Sequence, residues 1–528
     1  MNISVHALSL KKPRPRQVTG FAALVLSCLL LLPAAALAAT FSASVVQNKA
    51  KELSKQPFQP PQPFPEALGK LSQEEWQDIT FKKERTIWAK GNLPFKIQLF
   101  HPGMLYNTPV TINLVSGGEV QKLPFDVNNF DYGRNHNIIG QMTPQMGYAG
   151  FRVMSHLNSD RYSDEVAAFL GATYFRAVAK GQRYGLSARG LALNTGHPDG
   201  EEFPYFREFW IEHPARKSTT LTIHALLDSK SLTGAYKFVL RPGSPTTMDV
   251  TATLFLRAPI AKPGLAPLTS MFLYGENTSP RPIDDYRPEV HDSDGLLIAE
   301  DENHWLWRPL ENPDTLRITT FAADDPKGFG LIQRDDDFHH YEDLESRFGQ
   351  RPDLWVTPKG RWGKGHLELI EIPSNKDIHD NIAVFWTPSK AWPVGQPMHY
   401  EYTLEWSGRP NQHPPLGYVA ATRAMRPARG TQRYVIDFMG KALHLLQPPA
   451  KVEAVVTSGP GVSVTDLQVV KNPESGGWRL TFTVRSEAAS TPMDFVLPKK
   501  IAPVTLRAFL RINDKVLTET WNYAFIPQ

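Results

Sequence analysis

The 528-residue sequence predicts an all-β protein, a large sandwich followed by a smaller immunoglobulin-like one. Apolar and polar residues alternate over many short runs, the two-residue period of a half-buried strand. The chain's 45 prolines and 36 glycines punctuate those runs, and its 11% aromatic content favours strands over helices. Few 3.6-residue periods intervene, which argues for antiparallel sheets rather than βαβ units. A hydrophobic fraction of 41% with 21% charged residues suits a folded chain of two or three domains.

At the N-terminus, Lys11, Lys12, Arg14 and Arg16 precede an apolar run from Val18 to Leu32, and Ala36-Leu37-Ala38 follows. That is the layout of a Sec-type secretory signal over 1–38, with cleavage expected after Ala38 and no twin-arginine pair. The first 38 residues hold no Asp or Glu, so these four cations account for the whole net charge of +4. A near-neutral mature chain removes the bulk-charge argument for a nucleic-acid partner. Cys28, the sole cysteine, lies in the leader, leaving the mature chain without disulfides or thiolate metal sites. Export without disulfides points to a bacterial periplasm. No second apolar run reaches spanning length, so an integral membrane protein is not expected.

Residues 41–92 read as a helical, loop-rich lead-in. Ser72 and Glu75 fit a capping box before a short helix containing Trp76, and Gln56 to Pro65 is a proline-dense connector. Strands are then expected where Phe95, Ile97 and Leu99 alternate, and again at Val110, Ile112 and Leu114. Further strands are expected at Leu221–Leu227, Ala235–Leu240, Thr247–Arg257, Leu316–Ala322, Leu367–Ile372 and Ile382–Trp386. The stretch SGRPNQHPPL, Ser407 to Leu416, carries three prolines and little apolar content. It divides a domain at 39–407 from one at 419–528, with 408–418 as linker. Closely spaced strand candidates beyond it, from Tyr434–Phe438 to Val516–Phe525, suggest the immunoglobulin-like sandwich.

The chemistry is narrowed first by absences. The sequence has no G-x-S-x-G elbow, P-loop, H-E-x-x-H or Rossmann glycine pattern leading into a helix. His339-His340 beside Asp335-Asp336-Asp337 invites a metal reading. Adjacent strand residues point to opposite faces, however, so a solvated acidic turn is expected and no metal or other cofactor is assigned. Acids concentrate between Met271 and Trp386. Asp292 and Asp294 in VHDSDGL share a face, about 6.6 Å apart, if the segment is extended. Glu371 joins the face of Leu367 and Leu369 near a strand end. Asp380 begins a strand whose following positions are apolar, and half-burial there would raise its pKa and suit a general acid. Trp305, Trp307, Trp355, Trp362, Tyr274 and Tyr286 lie around these acids in sequence. Aromatic faces stack on sugars, and paired carboxylates cleave glycosidic bonds. Each tryptophan also has a competing reading as core packing, and each acid as a turn former. From residues alone, the chain reads as an exported all-β protein suited to glycans.

Longer words sharpen this. GYAGFRV (Gly147 to Val153), FLGATYFRAV (Phe169 to Val178), YGLSARGLA (Tyr184 to Ala192) and EEFPYFREFWIE (Glu201 to Glu212) resemble one family. So do LTSMFLYGEN (Leu268 to Asn277), YRPEVHDSDGL (Tyr286 to Leu296), WLWRPLENP (Trp305 to Pro313) and DPKGFGLIQRDDDF (Asp325 to Phe338). The resemblance is to the periplasmic glucans biosynthesis proteins G and D, across the mature chain, and closer to the G branch. It implies a galactose-mutarotase-like sandwich joined to an immunoglobulin-like domain. It also implies a role in making osmoregulated periplasmic glucans, whose backbone is β-1,2-linked glucose. In the D relatives, inverting endo-hydrolysis uses an Asp of a D-N-I segment as acid and the first Asp of H-D-S-D as base through a relay. Those positions are Asp380 and Asp292 here. His379 before the acid and the loop Ser374 to Ile378 depart from the pattern, which puts turnover rate in doubt more than site identity.

The combined expectation is a β-1,2-glucan-processing protein with Asp380 as acid and Asp292 as base. Tyr274, Arg287, Trp305, Trp307, Trp355 and Glu371 are expected to line or orient the cleft. A non-catalytic glucan-binding or assembly factor working with the inner-membrane glucan synthase is the alternative from another class. A branching transferase using the same acids is the third.

Overall fold

The computed structural model describes residues 40–281, 283–408, 414–447, 449–487 and 502–527. The expected leader at 1–38 with Cys28, and residues 409–413 of the expected linker, lie outside them. No helix among the described residues is long and apolar enough to cross a membrane.

The lead-in forms three short helices, Ala43–Ser54, Glu66–Gly69 and Gln73–Asp78. The last starts as its sequence requires: Ser72 Oγ accepts from the Glu75 amide at 3.2 Å, and the Glu75 carboxylate accepts from the Ser72 amide at 2.8 Å. Residues 57–65 carry no regular structure, as their prolines dictate. Beyond them the chain is strand-rich, and every strand stretch named above overlaps an observed strand, with ends off by a residue in places and Val516–Phe525 split into Lys515–Val516 and Thr520–Phe525.

Two large sheets face each other. A ten-stranded sheet runs from Phe95–Phe100 through Gly150–Ser155, Asp164–Leu170, Tyr174–Ala177, Ser187–Arg189, Pro263–Ser270, Ile382–Pro388 and Gly365–Glu371 to Arg317–Ala322. The opposing fifteen-stranded sheet is centred on Leu232–Arg241, Thr246–Leu256 and Met398–Ser407. Their inner faces interlock through aromatic rings, with Phe169 at 5.5 Å from Phe209 and 5.2 Å from Phe238. Register then fixes what the ten-stranded sheet shows outward. Phe175, Ala188, Leu268, Val384 and Leu369 point into the core, so their neighbours Tyr174, Arg176, Ser187, Arg189, Thr269, Ala383 and Ile370 lie on the other face.

The strands after residue 418 do not stand apart from the larger sheet. Thr520–Phe525 pairs in parallel with Trp305–Pro309, and Val504–Ile512 and Glu453–Ser458 extend the same fifteen-stranded sheet. A four-stranded sheet of Tyr418–Ala428, Thr431–Met439, Trp478–Ser486 and Val462–Lys471 packs over them. Between the two lies a second core containing Trp305, Trp307, Trp355, Tyr434, Phe482 and Trp521.

Candidate active site

Asp292 and Asp380 are delivered by different elements. Asp292 follows the two-residue strand Val290–His291, where the chain bends instead of extending. The amide of Asp292 donates to the Met271 carbonyl and that of Asp294 to the Ile332 carbonyl, each at 2.8 Å. The bend sends the two carboxylates to separate partners, so the common face expected of an extended segment is absent. Asp292 accepts from Arg351 Nη1, whereas Asp294 accepts from the amides of Arg334 and Asp335.

Asp380 lies just before the strand Ile382–Pro388. Its neighbour Asn381, which sequence reasoning passed over, is the anchor. Asn381 Oδ1 accepts from the Phe272 amide, and Nδ2 donates to the Phe272 carbonyl, both at 2.9 Å; Nδ2 also donates to the Ile372 carbonyl at 3.0 Å. A side-chain amide carries one acceptor and two donors, so it can continue a strand ladder where the backbone diverges. The Asp380 side chain is 34% exposed, and Arg176 Nη2 stands 3.8 Å from its Oδ2.

Asp292, by contrast, is 3% exposed. Burial pushes its carboxyl up to about 6 against the pull of Arg351, and the negative charge of Asp380 adds to the rise. Desolvation, expected at Asp380, therefore acts on Asp292. Arg351 was also missed, since nothing local in R-P-D marks it. Its guanidinium lies 4.4 Å over the Phe348 ring, and its Cβ would stand 2.8 Å from a Cβ at Gly185. Glycine at 185 is what lets the two loops close on Asp292.

The other expected cleft residues are mostly buried, and they divide between the second core and the surroundings of the two acids. Trp305, Trp307 and Trp355 are buried in the second core, where Trp305 and Trp355 stack at 5.7 Å. They face the four-stranded sheet because the C-terminal strands need a large apolar partner. Tyr274 is fully buried in a small cluster with Tyr341 and Phe348. Glu371 is fully buried as well; its Oε2 accepts from Arg317 Nε at 2.7 Å and its Oε1 from the Glu311 amide at 2.9 Å. Arg287 is a clamp rather than an open cleft residue. It holds Asp285, and its Nη1 donates to Asp343 at 3.1 Å and to Asp377, three residues before Asp380, at 2.9 Å.

Among the described residues, one group has metal-ligand chemistry. Single donor atoms of Glu289, His291, Asp294 and Asp335 lie within 4.8 Å of one another. The expected solvated turn holds for Asp336, Asp337 and His339, which are exposed, whereas Asp335 and His340 turn inward to a buried network, with His340 Nδ1 2.9 Å from Glu289 Oε1. A mixed nitrogen and oxygen set suits a divalent cation in principle. Gln333 Nε2 donates to the His291 carbonyl, which leaves Gln333 Oε1 to accept from His291 Nδ1 at 2.9 Å. Burial opposes a charge on His291, yet Asp294 and Glu289 hold its proton on to about 9. The bond to Glu289 does the same for His340, also to about 9. Burial and the charges of Asp294 and Glu289 push Asp335 up as well, to about 9, so the network holds protons on acid and imidazole alike.

Residues 41–525 match the family model described as periplasmic glucan biosynthesis protein, MdoG. The chain is 44% identical over 497 residues to glucans biosynthesis protein G of Pseudomonas aeruginosa (strain LESB58), covering 92% of each. It is 41% identical over 510 residues to glucans biosynthesis protein G of Ralstonia nicotianae, covering 94% of this chain and 99% of that one. A protein of the same name from Rhodopseudomonas palustris (strain ATCC BAA-98 / CGA009) is 42% identical over 520 residues, covering 97% of this chain and all of that one.

Proposed function

The chain belongs to the MdoG family of periplasmic glucan biosynthesis proteins, and on that premise we propose that it processes a β-1,2-linked glucan backbone by inverting endo-hydrolysis. The observation that carries this reading is an accessible Asp380, 3.8 Å from Arg176, together with a buried Asp292 held by Arg351. Two carboxylates are the minimum set for glycosidic cleavage. Asp380 protonates the leaving glycosidic oxygen as its bond to the anomeric carbon breaks. Water bonds to that carbon from the opposite face, and its proton passes to Asp292 through a relay. One water is consumed and the anomeric configuration inverts. A carboxyl at about 6 is ionised at neutral pH yet more basic than an ordinary aspartate, which suits the base.

Incubation of the mature protein with linear β-1,2-glucan, followed by chromatography and anomeric NMR, tests this reading. Shortened chains with inverted anomers are expected; an unchanged polymer rejects hydrolysis. Asp380→Asn should abolish cleavage and leave glucan binding measurable. New linkages in place of shorter chains would make the protein a branching transferase, with a sugar hydroxyl replacing water.

One observation favours a non-catalytic assembly factor: Asp292 is locked to Arg351 and almost closed to solvent. In that reading the protein accepts nascent chain from the inner-membrane synthase after export and cleavage at Ala38. Complementation of a glucan-deficient strain by the double Asp292→Asn, Asp380→Asn variant would decide for it.

A further inference from the structure

With the three tryptophans committed to the second core, a glycan near Asp380 must meet other groups. The outer face of the ten-stranded sheet supplies them. Register sets Tyr174 opposite Arg189 and Ser187 opposite Thr269, and Arg176, which approaches Asp380, shares that face. Arg189 is 3% exposed. Its guanidinium lies 5.0 Å from the Tyr174 ring centre and 5.3 Å from that of Phe203, and it pairs with Glu201 at 2.7 Å. Arg189 Nε and the hydroxyls of Ser187 and Thr269 are buried without a hydrogen-bond partner among the described residues. Native proteins pair nearly all such atoms with protein, water or ligand, and these three lie on the face that Arg176 shares. Phe203, in contrast, is 55% exposed while it packs against the buried cation.

An exposed phenylalanine alone is unremarkable. Beside a buried arginine–glutamate pair with spare donor capacity, it completes the complement of a pyranose, which has an apolar C–H face and a rim of hydroxyls. We propose that Phe203, Arg189 and Glu201 form a sugar-binding subsite on the Arg176 side of Asp380. Phe203 takes the apolar face of one glucose ring, and the Arg189–Glu201 pair takes its neighbouring hydroxyls. The proposal rests on the glucan-processing reading and extends it, because it names what grips the chain beyond the reacting bond.

Calorimetric titration of linear β-1,2-glucan into the mature protein carrying Asp380→Asn reads binding without turnover. Adding Phe203→Ala should raise Kd roughly tenfold, the scale of one phenyl ring returned to water. Phe203→Trp should retain affinity. Because Phe203 is exposed, an unchanged thermal melt is expected for both and would exclude misfolding as the cause. An unchanged Kd for Phe203→Ala overturns the subsite and leaves the hydrolysis reading intact. A Phe203-dependent Kd without cleavage by the unsubstituted protein retains the subsite and rejects hydrolysis. No binding by the unsubstituted protein rejects both.

Discussion

Asp292 and Arg351 together set the protonation chemistry of the candidate site. The folded carboxyl titrates near 6, above the value of about 3.9 for an unfolded aspartate. Ionisation therefore costs the native state, a cost absent below about pH 4 and complete above about pH 6. Between those limits this group alone removes on the order of 2–3 kcal/mol of stability. Asp292→Asn should lack that slope, which chemical denaturation at pH 4 and pH 7 would reveal. The same titration should appear in catalysis as an acidic limb near pH 6 in kcat/KM, since the base must be ionised. Arg351→Ala removes the cation that favours the ionised form. It should move that limb upward by roughly one unit, as the pH profile of the variant would show.

At the scale of elements, the candidate site depends on side chains that replace missing backbone pairing. Asn381 makes three hydrogen bonds that hold the start of the strand Ile382–Pro388 against Phe272 and Ile372. Asn381→Ala leaves those backbone groups unpartnered and should cost roughly 2–3 kcal/mol. It should also lower kcat, because Asp380 loses its neighbour's anchor; denaturant midpoints and single-turnover rates check the two effects. Glu371 separates structural from functional acids. It sits opposite Arg317 on adjacent strands and shares a buried ion-pair group with Arg308 and Glu311. Glu371→Gln strands buried guanidinium charge, so a loss of about 3–5 kcal/mol is expected. Glucan affinity of the folded fraction should be unchanged, which titration calorimetry below the melting temperature would test.

For the whole molecule, the second core ties the C-terminal strands to the rest. Trp521 pairs with Trp307 across parallel strands and lies 5.3 Å from Tyr434. Glu519 accepts from Arg334 and from the Val419 amide, each at 2.7 Å, and Glu276 accepts from the Thr422 amide. Truncation after Gly408 would strip these contacts and expose Trp305, Trp307 and Trp355 to water. The expected product is an aggregation-prone chain that binds hydrophobic dyes and melts broadly, rather than an active domain. Gel filtration and a thermal melt would distinguish the two.

How much of this was legible depends on the range of the interaction concerned. Strand period, the Ser72–Glu75 cap and the family words are local patterns, so the all-β class, the lead-in and the family could be read from residues alone. Asp292 and Asp380 stood out as residues and took their acid and base roles from the family words; the near-complete burial of Asp292 was legible in neither. Whether a tryptophan meets sugar or core depends on which strand returns from two hundred residues later. Strands such as Thr520–Phe525 claimed Trp305, Trp307 and Trp355, and no local spacing records that. The bend at Asp292, the anchoring by Asn381 and the approach of Arg351 past Gly185 are likewise long-range. The sequence by itself determined the fold class and the family, and it pointed to the two acids. The tertiary structure decided which of the acids is desolvated and which aromatics stay open, because desolvation is a property of neighbours in space.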